Sequence, residues 1–235
     1  MSDPASPFIR IEGLRHLYHQ GNQDQVVLGD VSFTMSRGET VALLGRSGSG
    51  KTTLLNVISG VDRAVQGQVF IDGTDLAAMD ERSRTLFRRR HIGFIYQFFN
   101  LVPSLTAAEN IALPLELNGM PLGAALDQAL GLLESIGMAG KAGQFPNQLS
   151  GGEQQRVAIM RALAHQPALI LADEPTGNLD AQTGLQMLAV LRRQLQNSGS
   201  TTLLVTHSLA VARTADRILT LEAGGIQERT GDFAW

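Results

Sequence analysis

The chain has 235 residues, 19 basic against 22 acidic side chains, a formal charge of −3 and no cysteine. This length suits one large domain or two joined lobes better than two independent domains. The charge balance excludes recruitment of nucleic acid by a global positive field, so no nucleic-acid partner is expected, and the lack of cysteine excludes disulfides, thiolate zinc sites and a cysteine nucleophile.

The first ten residues, MSDPASPFIR, lack the basic and long apolar segments of a secretory signal and read as a loose leader. No run of about eighteen to twenty apolar residues is present. The expectation is a cytoplasmic chain whose membrane role, if it has one, is borrowed from a partner.

Ile9 to Tyr18 and Val26 to Met35 are rich in β-favouring residues and flank a Gly-Asn-Gln-Asp turn; Val41 to Leu44 is a short apolar strand candidate. Lys51 to Ser59 is patterned as helix, and Gln68 to Asp72 as strand, with a turn at Gly73. Residues 75 to 145 read as a helical insert containing a basic stretch from Arg82 to Arg90 and helices at Ala107 to Leu117 and Leu122 to Ile136. The Arg82 to Arg90 stretch reads as a solvated helix face, without the interleaved aromatics of a single-strand binder. Alternation then resumes: helix 151–165, strand Leu169 to Ala172, helix 181–196, and strands Thr202 to Thr206 and Ile218 to Glu222. Such alternation predicts an α/β fold with a mostly parallel, two-faced sheet.

Residues 45–52 read GRSGSGKT, a complete phosphate-loop pattern lying after an apolar strand and before a helix, the context the pattern needs. Gly45, Gly48 and Gly50 allow close backbone approach, so N–H groups from Arg46, Ser47 and Ser49 to Thr53 can face an anion. Lys51 supplies positive charge to the terminal phosphates, and the hydroxyl of Thr52 suits Mg²⁺, a cation that prefers oxygen ligands.

Residues 169–174 read LILADE, an apolar run ending in two carboxylates. A buried strand's carboxyl end opens on the ligand crevice in α/β sheets. Asp173 is therefore expected to hold Mg²⁺ through its coordination shell, and Glu174 to polarise the attacking water. LSGGEQ, residues 149–154, opens a helix with Ser150 and Glu153 in capping-box spacing. Gly151 and Gly152 leave bare N–H groups in its first turn, so the segment fits a well-capped helix and an anion site equally.

The phosphate loop, LSGGEQ, LILADEPTGNLD and a histidine after the strand LLVT, taken in this order, resemble the ATP-binding cassette ATPases over nearly the whole chain. The resemblance implies an antiparallel β subdomain and a RecA-like core over about 8–96 and 167–235, with a helical signature-motif subdomain over about 97–166. It implies ATP and Mg²⁺ as ligands, and a head-to-tail dimer sandwiching two ATPs. Ser150, Gly151 and Gly152 would touch the γ-phosphate held by the opposite phosphate loop. Tyr18 resembles the aromatic stacked on adenine, Gln97 the glutamine that senses Mg²⁺, and His207 the switch histidine at the γ-phosphate. Asp180 resembles the aspartate that crosses the dimer interface. Ser208 departs from the Asp that commonly follows that histidine, and GVDRAVQG replaces a usual turn; Ser208 bears on how His207 is held.

The apolar stretch Phe98 to Leu117 is a candidate partner surface; in the family, this region receives a coupling helix of the transmembrane subunit. YQFFNLVPSLTAAENIALPL with ADEPTGNLD is most similar to ATPases serving lipoprotein-release and macrolide-export permeases, implying a place on the cytoplasmic face of a membrane.

Overall fold

The computed structural model describes residues 6–20 and 23–229. Met1 to Ala5 of the expected leader, Gly21 and Asn22 of the expected turn, and residues 230–235 lie outside them.

In chain order the elements are β1 (Ile9–Gln20), β2 (Gln23–Met35), β3 (Thr40–Leu44), α1 (Lys51–Ile58), β4 (Gln66–Ile71), β5 (Thr74–Asp75), α2 (Glu81–His91) and β6 (Ile92–Ile95). They continue as α3 (Ala107–Leu117), α4 (Leu122–Ser135), α5 (Gly151–Leu163), β7 (Leu169–Asp173), α6 (Ala181–Ser198), β8 (Thr201–Thr206), α7 (Leu209–Ala212), β9 (Arg217–Glu222) and β10 (Gly225–Arg229). The chain gathers into two compact units, residues 1–88 with 201–235, and residues 89–200.

In the first unit the strand order is β5-β4-β1-β2-β10-β9-β3-β8. β1 pairs antiparallel with β2 and β4, whereas β3 runs parallel to both β8 and β9. The parallel strands are buried on both faces: Val41 to Leu44 have no exposed surface, and Leu203 to Val205 are buried beside them. Such strands need apolar residues at consecutive positions, which is why their sequences run apolar rather than alternate. β1 and β2 instead bury alternate residues, Ile9 and Ile11 on one strand and Val31, Phe33 and Met35 on the other.

The second unit holds the parallel pair β6 and β7 with helices α3 to α6. Its core is built from Ala107, Ile111 and Leu115 of α3, Ala129 and Leu133 of α4, and Val157 to Met160 of α5. The fold is therefore α/β, with parallel strands in both units, an antiparallel β segment and a helical segment whose helix α5 is opened by the LSGGEQ signature motif.

The expected helical insert over 75–145 needs one correction. β6 lies inside it, paired in parallel register with β7 from Ile92↔Leu169 to Ile95↔Ala172. A four-residue apolar run such as Ile-Gly-Phe-Ile has no period of its own, and only its partner strand decides its state. The basic helix α2 is not uniformly solvated either: Arg84 is buried and ion-paired with Glu81, and Arg88 donates to the Gly60 carbonyl.

Candidate functional site

The phosphate loop links β3 to α1. Gly50 is the N-cap of α1, its φ of 97° lies in the left-handed region, and no side chain caps the helix's first N–H groups. A Cβ at Gly50 would also sit 2.7 Å from Val27 Cγ1, so glycine is required by both angle and space. Lys51, 8% exposed, folds its ammonium over the loop and donates to the carbonyls of Gly45 at 2.7 Å and Arg46 at 3.0 Å. The buried Ser49 Oγ has no hydrogen-bond partner among the described residues. Uncapped N–H groups, a buried cation and an orphaned hydroxyl in one loop suit a polyphosphate, which would satisfy all three.

Two further predicted residues lie in the same unit. Tyr18 is half exposed; its hydroxyl is 3.3 Å from Thr53 Oγ1 on the first turn of α1, and its ring meets His16 edge to face. β3 and β8 pair Leu44 with Thr206, so Gly45 and the exposed His207 leave neighbouring parallel strands at one level. Ser208 caps α7, accepting from Val211 N, and donates its own N–H to Thr206 Oγ1 at 3.0 Å. A serine serves as N-cap about as well as an aspartate, which accounts for the departure at this position.

The second unit brings Gln97, Asp173 and Glu174 together. The β6/β7 register ends at Ile95↔Ala172, so Tyr96 and Gln97 emerge beside Asp173 and Glu174. Asn178 Nδ2 donates to the Gln97 carbonyl at 2.7 Å, tying the two loops. Glu174 has φ 47°, a rare conformation for a residue with a side chain, and its carbonyl accepts from Gly177 N at 2.9 Å. Gln155 of α5, fully buried, donates to the Pro175 carbonyl at 2.8 Å.

α5 starts in the signature motif. Ser150 Oγ accepts from Glu153 N, while Glu153 accepts from Ser150 N at 2.8 Å, completing the capping box. The Ser150 N–H bond holds the Glu153 carboxyl below the usual carboxylate range. The box occupies an acceptor lone pair of Ser150 Oγ, and the same hydroxyl retains its donor function. Gly152 packs where a Cβ would stand 2.8 Å from Thr183 Cγ2. Asp180 caps α6, accepting from Gln182 N and Thr183 N, and its carboxyl is lowered mainly by Thr183.

Three residues not singled out in the sequence complete this unit: Gln155, Asn178 and Arg161. Arg161, half-buried, donates to the carbonyls of Phe99 and Asn100, both at positive φ. None carries a motif of its own. The stretch Phe98 to Leu117 divides: Ala107, Ile111 and Leu115 face the core, whereas Phe98 and Leu117 are exposed at 70% and 52%. No group of three or more potential His, Cys, Asp or Glu metal ligands occurs among the described residues.

The sequence pattern of the family described as ABC transporter matches residues 28–177. The chain belongs to the ABC transporter family. This family member is 50% identical over 93% of its length to an uncharacterized ABC transporter ATP-binding protein of Mycobacterium tuberculosis, covering 88% of that protein. It is 44% identical to the lipoprotein-releasing system ATP-binding protein LolD of Roseobacter denitrificans, over 95% of this chain and 99% of that one. It matches the macrolide export ATP-binding/permease protein MacB of Rhodopirellula baltica at 43% over 94% of its own length, spanning only 32% of that larger protein. Its fold resembles a dimeric post-hydrolysis structure of the ATP-binding cassette MJ0796 bound to ADP and Pi, with a TM-score of 0.86 and 38% identity, covering 95% of this chain and all of that one.

Proposed function

We propose that this ABC ATPase subunit works as a head-to-tail dimer that binds two ATPs and drives a separate transmembrane permease of the lipoprotein-release or macrolide-export type, from the cytoplasmic face of the membrane. The observation that carries the reading is the phosphate loop, with its uncapped α1 and buried Lys51, in a chain related to LolD along 99% of that protein. No described helix is long and apolar enough to cross a membrane.

In the proposed cycle Tyr18 stacks on adenine, while Gly45 to Thr53 and Lys51 hold the phosphates. Ser150, Gly151 and Gly152 of the partner subunit close over the γ-phosphate. Glu174 orients a water in line with it, and Lys51 and His207 stabilise charge on the transferring group. The Thr52 hydroxyl, the Gln97 amide oxygen and the Asp173 carboxylate would supply oxygen donors of the kind Mg²⁺ prefers, and the ion when bound would neutralise phosphate charge. Asp180 crosses to the partner. Residues 97–166 form the helical subdomain, and its exposed Phe98 and Leu117, within the stretch 98–117, receive the permease.

The test is mass spectrometry of what co-purifies with tagged Glu174→Gln protein from detergent-solubilised membranes with ATP present. A permease with a large extracytoplasmic domain is expected. Recovery of a soluble nucleic-acid complex in its place would sink the coupling assigned here.

A further inference from the structure

We infer that Gln155 is a positioning residue of the hydrolytic site: it holds the turn that carries Glu174 and ties that turn to the helix that opens with the signature motif. The inference rests on the reading of Glu174 as the residue that orients water.

Glu174 sits at φ 47°, a conformation that residues with side chains keep only where the surroundings enforce it. The following residue is proline, which has no N–H to donate, so its carbonyl is its one backbone hydrogen-bonding group. Gln155 fastens it, with Nε2 at 2.8 Å from Pro175 O. The Glu174 carbonyl is bound as well, by Gly177 N at 2.9 Å. Both carbonyls flanking the carboxylate-bearing turn are thus engaged, one from within the turn and one from α5.

The amide is kept at a cost. Gln155 is fully buried, and its Oε1 has no hydrogen-bond partner among the described residues. An unsatisfied buried acceptor is destabilising, and an apolar side chain of the same volume would avoid it, so packing alone does not explain a glutamine here. The donor toward Pro175 does.

Gln155 also lies on the second turn of α5, five residues after Ser150, and a Cβ placed at Gly151 of the same helix would stand 3.6 Å from Leu179, five residues after Glu174. A displacement of the signature end of α5 therefore reaches the Pro175 carbonyl through one helix and one hydrogen bond. In a dimer in which the signature motif reads the partner's ATP, this contact would carry the state of one site to the water-orienting residue of the other.

The test is Gln155→Met, which keeps volume and removes the donor, with kcat, ATP affinity by calorimetry and thermal midpoint measured on the full chain. The expected result is a kcat lowered about ten- to a hundredfold, the loss that a misplacement of about 1 Å produces, with ATP affinity within about twofold of wild type. In the Glu174→Gln background, Gln155→Met should leave ATP-dependent dimers intact, because the residue acts on the base and not on closure. Wild-type kcat, weakened ATP binding, or loss of those dimers would each overturn the proposal. If Gln155→Met does not fold, Gln155→Asn, whose amide is one methylene short of Pro175, reads the same quantities. Normal turnover in Glu174→Gln alone would instead remove the reading on which the inference rests.

Discussion

Lys51 is buried beneath its own loop, with its ammonium shared between the Gly45 and Arg46 carbonyls. A buried ammonium needs partners, and the Gly45 and Arg46 carbonyls hold it over the loop, where a cation suits phosphate. Lys51→Ala should weaken ATP binding by about ten- to a hundredfold, as expected for a charge-assisted contact, and a calorimetric titration giving wild-type affinity would contradict this. At this scale the sequence was legible wherever chemistry imposes a string. GRSGSGKT and LILADE could be read directly, because the loop needs glycine at fixed offsets and a strand buried on both faces needs an apolar run before its carboxylates. Gln155 and Arg161 could not. Their partners are backbone carbonyls at positions 175, 99 and 100, and a carbonyl belongs to every residue, so no sequence pattern marks which one a side chain reaches.

Three helices of the second unit, α3, α5 and α6, start from side-chain caps. Thr106 with Glu109 opens α3, Ser150 with Glu153 opens α5, and Asp180 opens α6. All three carboxyls are held below their ordinary range by the groups they accept from: the Thr106 backbone for Glu109, the Ser150 backbone for Glu153, and Thr183 for Asp180. A carboxyl depressed in the folded state contributes stability that is fully present above its unfolded pKa, about 4, and is lost as pH falls through the lower folded values. Acidification from pH 6 to pH 3 should therefore loosen α3 and α5. In Glu109→Gln/Glu153→Gln both boxes keep an acceptor that does not titrate. Its thermal midpoint should fall less over that range, by roughly 2–4 °C, at the lower end because both carboxyls are screened by solvent. Equal acid sensitivity in the two proteins would show that these caps do not set it. The α5 cap was legible as the Ser-x-x-Glu spacing of Ser150 and Glu153, whereas β6 was not, since a strand of four residues is defined by its neighbour rather than by its own period.

At the scale of the whole molecule the question is which copy of the chain completes which site. In a two-fold dimer of the head-to-tail kind, one site takes the phosphate loop of one protomer and the signature motif of the other. That arrangement can be separated from a site assembled within one protomer by mixing two lesions. Lys51→Ala disables the phosphate loop. Gly151→Asp disables the signature motif with little local damage: a Cβ at Gly151 makes only ordinary contacts, 3.6 Å from Leu179 and 3.7 Å from Phe99, and a carboxylate in the first turn favours the helix while repelling phosphate. Each variant alone should be nearly inactive. In mixed dimers of a head-to-tail design, one site collects both lesions and the other none, so an equal mixture should regain about a quarter of wild-type ATPase activity if the sites turn over independently. Sites built within single protomers would leave every site with one lesion, and mixing would restore nothing. The two designs therefore differ in the sign of a single comparison, the activity of the mixture against the mean of its components, which a steady-state phosphate-release assay reads directly.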